Sequence, residues 1–267
     1  MRLAGFSVAG VETSIEVPDL GLVLDMGRCS RTAVNQQLVV VSHGHLDHAG
    51  ALASHAARRA MMKMAEATYL VPKTIAPDIE RLFNAAGDLD GHPIPRKVVA
   101  LEPGQDFALS SKRWIRPFAT LHRVPSQGYT VWERRHRLRA ECEGQPGAEL
   151  AQLRARGVEI DAPHDVALLS FTGDTRVEVL ERVDELRHGE TLILETSFLD
   201  DRVSVEDARA MGHIHLDEVL ERTELLPPGE VVFCHFSARY GPGDVRKILA
   251  QRLPDRLKKV VRALGTE

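Results

Sequence analysis

The chain has 267 residues, with 34 Lys and Arg against 38 Asp and Glu, and a formal charge of −4. Its 43% hydrophobic and 27% charged residues are an ordinary globular balance, which excludes a disordered chain, and no apolar run approaches the roughly 20 residues that span a bilayer. The mild acidity excludes a general polyelectrolyte coat protein, so any nucleic-acid contact has to come from a local basic patch.

Met1 to Gly10 is too short and too interrupted to read as a secretory leader. Short runs rich in Val and Leu predict strands over Leu22–Asp25 and Leu38–Ser42, and apolar spacing predicts one helix over Leu46–Met64, with Met61, Met62 and Met64 as packing residues. A helix follows over Pro77–Ala86, with Gly87 just past its end, then strands over Val98–Leu101 and Tyr129–Glu133. Further along, helices are expected over 148–156, 177–187, 205–211 and 244–252, alternating with strands over Val166–Phe171, Thr191–Glu195 and Val231–Cys234. This alternation is the signature of an α/β class. No Pro/Ser-rich linker divides the chain, so residues 1–267 are expected to form one domain. Cys29, Cys142 and Cys234 are an odd set without a Cys-x-x-Cys pair, which fits a reducing, cytoplasmic compartment.

Several of the apolar runs end in residues that bind metals. The first is Ser42-His43-Gly44-His45-Leu46-Asp47-His48. Alternate side chains of an extended segment point the same way, so His43 and His45 can grip one ion while Asp47 and His48, at the start of the next helix, face a second. Imidazole and carboxylate suit Zn²⁺ or a similar first-row ion. With 12 His in the chain, a chance His-x-His-x-Asp-His has a probability on the order of one in a thousand. His122, Asp174 and His235 each follow a later strand and offer one further donor apiece. His55, His92, His136, His164 and His188 stand in no such motif and are read as surface or loop residues.

Seven segments in order, Leu24 to Cys29, His43 to His48, His122 to Tyr129, Phe171 to Thr175, Glu195 to Asp201, Gly212 to His215 and His235 to Tyr240, resemble the metallo-β-lactamase superfamily. Within it they are most similar to ribonuclease Z, the family of endonucleases that mature tRNA 3′ ends, and to its short, plant-type members. The resemblance implies an αββα four-layer sandwich with two Zn²⁺, replaceable by Mn²⁺, at one edge of the sheets. By the same resemblance His43, His45 and His122 would hold one ion, Asp47, His48 and His235 the other, and Asp174 would bridge them. Asp25 would support the histidine loop from behind.

Such a pair of ions makes hydroxide from water near neutral pH and stabilises charge on a phosphodiester, with Asp47 as an additional proton acceptor. The resemblance assigns protonation of the leaving ribose oxygen to Glu195 and His213, since a carboxylate beside imidazole raises its pKa. The local wording is Leu194-Glu195-Thr196-Ser197 and His213-Ile214-His215 where bacterial members read His-Glu-Ala-Thr and His-Ser-Thr, which leaves His215 as a competitor. Arg134, Arg135 and Arg137 fall in a short exosite-like segment around 130–160, and Ser237, Arg239 and Tyr240 are candidate phosphate contacts. The expected partners are precursor tRNA and a second copy of the chain in a homodimer, with no membrane. The alternative is a binuclear phosphodiesterase acting on small or cyclic nucleotides.

Overall fold

Residues 1–266 are described by a computed structural model in which most strands are only two to seven residues long. The chain lays down β1 (Ala4–Ala9), β2 (Glu12–Val17), β3 (Leu22–Leu24), β4 (Leu38–Val40), β5 (Thr68–Pro72) and β6 (Lys97–Leu101) as the body of a first sheet. A second sheet takes β7 (Phe107–Ala108), β8 (Arg113–Ala119), β9 (Gln127–Leu138), β10 (Asp161–Phe171), β11 (Thr191–Glu195) and β12 (Glu230–Cys234). The chain then returns β13 (Phe236–Ser237) to the first sheet beside β1 and β14 (Val261–Ala263) to the second beside β12. The orders are β13-β1-β2-β3-β4-β5-β6 and β14-β12-β11-β10-β9-β8-β7.

Alternation along the strands builds the layers. Leu22 and Leu24 enter the core between the sheets, while Val23 between them faces α2 (Leu52–Met61) and α3 (Ala76–Asp90), which follow the one-turn α1 (Leu46–Ala49). In the second sheet Ile193 and Val232 point into the inter-sheet core, and Leu192, Leu194, Val231 and Phe233 point the other way. That outer face is covered by α5 (Val179–Arg182), α7 (Leu216–Leu220) and α8 (Pro242–Arg252). The remaining helices are α4 (Gly147–Ala155), α6 (Val205–Met211) and α9 (Asp255–Lys258). Helix, sheet, sheet and helix thus stack in the four layers expected. No helix among the described residues is long and apolar enough to cross a membrane.

Four local expectations are corrected. The helix expected over Leu46–Met64 is two helices, parted at Gly50 and Ala51, where the Ala51 N–H donates to the Met26 carbonyl at 2.9 Å. The buried stripe of α2 is Leu52, His55, Ala56 and Arg59, so Met61 and Met62 fall off it and are 77% and 56% exposed. Gly87 lies inside α3, which runs on to Gly91, a left-handed cap at φ 78° that a glycine adopts without strain. The segment 177–187 breaks at Val183, whose extended backbone turns its side chain into the core.

His55, expected at the surface, is wholly buried. One ring nitrogen lies 2.8 Å from the Tyr69 hydroxyl and the other 3.2 Å from the Gln36 carbonyl. Burial, with the Arg59 charge adding to it, lowers its pKa from 6.5 to about 4. The unfolded chain therefore binds a proton that the folded one refuses. The His55 contribution is complete above pH 6.5 and is lost as pH falls toward 4, about 3 kcal/mol in all. Urea unfolding of His55→Gln at pH 7 and pH 4.5 should show a correspondingly shallower acid loss than the native chain; an unchanged difference would show that His55 does not titrate in this way.

Candidate metal centre

The strands β3 and β4 run parallel, as do β10, β11 and β12, so their C-terminal ends collect at one edge of the sandwich. Asp25 follows β3, Ser42 to His48 follow β4, His122 follows β8, Asp174 follows β10, Glu195 ends β11 and His235 follows β12. A hydrogen bond of 3.0 Å from the Gln127 N–H to the Ser42 carbonyl ties the two sheets together there. The Asp47 carbonyl lies so close to Gly27 that any Cβ would clash, which explains the glycine after Asp25-Met26. Asp25 and His235 hold left-handed backbone at φ 57° and 61° without being glycine, a strain that persists where the surrounding structure fixes it.

The predicted donors converge. His43 Nε2 lies 2.9 Å from His45 Nδ1, and His122 Nε2 lies 3.4 Å from that same nitrogen. His48 Nε2 and His235 Nε2 are 3.2 Å apart, with Asp47 Oδ2 at 3.6 and 3.7 Å from them. Asp174 stands between the groups: Oδ2 is 3.6 Å from His43 and 3.9 Å from His122, whereas Oδ1 is 3.3 Å from His48 and 3.4 Å from His235. Donors 2.0–2.1 Å from a tetrahedral ion are themselves about 3.3 Å apart, so both clusters fit a small divalent cation. Asp174 Oδ1 is moreover buried with no hydrogen-bond partner, a state that costs free energy unless a cation compensates it.

Hydrogen bonds behind the cluster fix which nitrogen faces it. Asp25 accepts from the Ser42 N–H at 2.6 Å, the Ser42 hydroxyl at 2.8 Å and His48 Nδ1 at 2.7 Å. Because the single hydroxyl proton of Ser42 goes to Asp25, His43 Nδ1 donates to Ser42 Oγ across 2.9 Å. His122 Nδ1 donates to the Gly212 carbonyl at 3.0 Å. His43 and His122 therefore present bare Nε2 atoms, and His48, its Nδ1 held by Asp25, has only Nε2 to offer a metal. The Gly10 N–H, from the β1–β2 turn, holds Asp47 Oδ2 at 2.8 Å.

Charge is distributed to match. Burial, with His48 nearby, keeps the His43 pKa well below the imidazole range, and burial also lowers His45 and His122. Burial opposes a charge on His48 as well, but Asp174 and Asp25 outweigh it and raise its pKa well above the ordinary value. The reverse holds for Asp174 and Asp47: burial raises both, and the His235 and His48 imidazoles beside them bring both far below the usual carboxylate range. A cation entering this cage would meet two ionised carboxylates and would have to displace the Nε2 proton of His48.

Glu195 and His213 adjoin the cluster. Glu195 Oε1 accepts from His213 Nδ1 at 3.0 Å and from the Thr175 N–H at 2.8 Å, and His213 Nδ1 is 3.9 Å from Asp174 Oδ2. Burial pulls the His213 pKa down, but the Glu195 charge and hydrogen bond, with Asp174 behind, lift it to about 9. The competitor His215 has both ring nitrogens engaged elsewhere. It caps α7, accepting from the Asp217 N–H at 3.1 Å through Nδ1, and Nε2 donates to the Asp200 carbonyl at 3.3 Å.

A family model described as a β-lactamase superfamily domain matches residues 26–236. tRNase Z TRZ1 of Arabidopsis thaliana is 35% identical over 266 residues, covering 98% of this chain and 94% of that one. The chain belongs to the tRNase Z family. The chloroplastic tRNase Z TRZ2 of the same plant is 33% identical over 248 residues, 92% of this chain and 70% of that protein. The crystal structure of the short form of human tRNase Z shares the fold, with a TM-score of 0.60 over 89% of this chain and 93% of that one at 16% identity. The four layers are those of the metallo-β-lactamase fold.

Other residues singled out by likeness to the tRNase Z family are placed unevenly. Arg239 is exposed and reaches only Ser237, whose hydroxyl is 3.2 Å away, so its charge is free of any carboxylate among the described residues. Tyr240 is buried, its hydroxyl donating to Asp200 at 3.1 Å and accepting from the Leu199 N–H at 3.0 Å, which makes it a loop anchor. Arg134, Arg135 and Arg137 lie on β9, in the ribbon it forms with β10. Arg134 pairs with Asp165 at 2.9 Å and Arg135 with Glu133 at 2.7 Å and with Glu190. Arg137 alone of the three has no ion pair among the described residues.

Three contributors escaped the motif reading, namely Ser42, Ser197 and the Gly10 amide. The serines carried a usable signal, since each adjoins a ligand or the glutamate, and a metal-facing imidazole needs an acceptor on its other nitrogen. The amide carried none.

Proposed function

We propose that the protein is a zinc-dependent endoribonuclease that cuts precursor tRNA at its 3′ end. The observation that carries this reading is the Glu195–His213 pair, 3.0 Å apart, set against the bridging Asp174 of a seven-donor cage. The relatives, both tRNase Z proteins, support the same substrate. His43, His45, His122 and Asp174 would hold one cation, and Asp47, His48, His235 and Asp174 the other. Those cations would supply positive charge for the phosphodiester and make water more acidic.

The chain's own groups do the rest. Asp47, steadied by the Gly10 amide, offers a carboxylate oxygen to the proton of an attacking water. His213, protonated at neutral pH and held through Nδ1 by Glu195, offers the Nε2 proton to the departing ribose O3′. Arg239, with no carboxylate to neutralise it, supplies a charge for a phosphate. On the paired strands β9 and β10, Arg137 has charge to spare for RNA. We place the protein in the cytoplasm, on its three free cysteines, and as a homodimer, for which the exposed Met61 beside Pro93 and Pro95 offers a contact point.

Zinc-loaded protein incubated with precursor tRNA should release a trailer with a 5′-phosphate and leave a 3′-hydroxyl on the tRNA. No cleavage with either Zn²⁺ or Mn²⁺ overturns the reading. The pairing of Arg134 and Arg135 with carboxylates favours a second one, a phosphodiesterase for small or cyclic nucleotides. Turnover of cyclic AMP and bis-p-nitrophenyl phosphate exceeding that of precursor tRNA would select it.

A further inference from the structure

We propose that Ser197 is a positioning residue that sets two histidines at once, His235 toward the cation cage and, through Glu195, His213 toward the departing oxygen. This rests on the phosphodiesterase reading above but not on tRNA as the substrate. Ser197 is wholly buried, its hydroxyl 2.7 Å from Glu195 Oε2 and 3.0 Å from His235 Nδ1. A hydroxyl has one proton and a carboxylate only accepts, so that proton goes to Glu195 and the Ser197 oxygen receives the Nδ1 proton of His235. His235 Nε2 is left bare, 3.2 Å from His48 Nε2 and 3.4 Å from Asp174 Oδ1. The other oxygen of the same glutamate takes the His213 Nδ1 proton at 3.0 Å, which leaves Nε2 as the nitrogen that can transfer one.

The same arrangement occurs a second time with a different outcome. Across the site, His43, Ser42, Asp25 and His48 are joined by bonds of 2.9, 2.8 and 2.7 Å, also a histidine, serine, carboxylate and histidine in line. There both terminal histidines face the cage. In the Ser197 chain one faces the cage and the other is the proton donor, so one buried hydroxyl ties cation binding to leaving-group protonation. Without it, His235 Nδ1 is left buried with no acceptor and is free to take the wrong tautomer, and Glu195 loses one of the four donors that hold it.

The test compares Ser197→Ala and Ser197→Cys, the latter keeping volume while weakening the hydrogen bonds, with Ser197→Thr and Ser42→Ala. Zinc affinity is read by chelator competition, and kcat and KM at saturating zinc on an oligoribonucleotide and on bis-p-nitrophenyl phosphate, whose phenolate leaves unprotonated. Ser197→Ala and Ser197→Cys should bind one of two zinc ions roughly 10-fold or more weakly. At saturation they should lose roughly 10-fold or more in kcat on RNA at unchanged KM, with far less change on the p-nitrophenyl ester. Ser197→Thr should restore both properties, and Ser42→Ala should weaken zinc without separating the two substrates. Native zinc affinities in Ser197→Ala, or equal losses on the two substrates, overturn the proposal. A native protein that spares tRNA but cuts the oligoribonucleotide would sink the tRNA reading and leave this contrast measurable.

Discussion

Asp174→Ala is expected to lower phosphodiester cleavage by roughly a thousandfold or more and to leave the protein with less than two cations per chain. Asp174 is the one side chain that faces both clusters, with one oxygen toward each, and it is buried among imidazoles. Its removal takes away the shared anionic ligand and leaves the raised-pKa His48 with Asp25 and the more distant Asp47 to balance it. Stabilisation of phosphoryl charge by bound cations is worth several kcal/mol, and about 4 kcal/mol is already a factor of a thousand. Elemental analysis of the purified variant beside its turnover checks both halves. Two ions retained with near-native turnover would remove Asp174 from the centre of the site.

His213→Ala should behave differently: both cations stay, and cleavage of RNA falls by roughly 10² to 10⁴, the usual range for a lost general acid. Hydrolysis of bis-p-nitrophenyl phosphate should be nearly spared. The contrast matters because Asp174, His213 and His235 also lie close enough to one another to hold an ion. The His213 Nδ1 bond to Glu195 argues for the donor role, since that nitrogen is occupied. If zinc leaves with the imidazole, His213 is a ligand and the proton must come from another group.

The parts of the site that lie at strand ends were legible in the sequence because strand and donor are adjacent there. Leu192 to Leu194 alternate between two cores and deliver Glu195, and Val231 to Cys234 do the same for His235. The β1–β2 hairpin escaped notice because Ser7, Thr13, Ser14 and Glu16 put buried polar groups where a pattern reader looks for apolar ones. The stripe of α2 was misplaced for the same reason. Arg59 is buried by donating to the carbonyls of Val34, Gln36 and Ala65, and His55 by its two partners, so a search for hydrophobic spacing slid onto the methionines. Local composition cannot reveal a polar group whose partner lies 25 residues away.

The left-handed backbones at Asp25 and His235 have a practical consequence. Glycine would relieve about 1 kcal/mol or more of conformational energy at either position. At Asp25 that gain is outweighed, because glycine would leave the Ser42 N–H, the Ser42 hydroxyl and His48 Nδ1 buried without their acceptor, at about 1–3 kcal/mol each. The strain is thus kept in place by the hydrogen bonds of the very side chains that cause it, and stabilising substitutions are better sought in the outer helical layers.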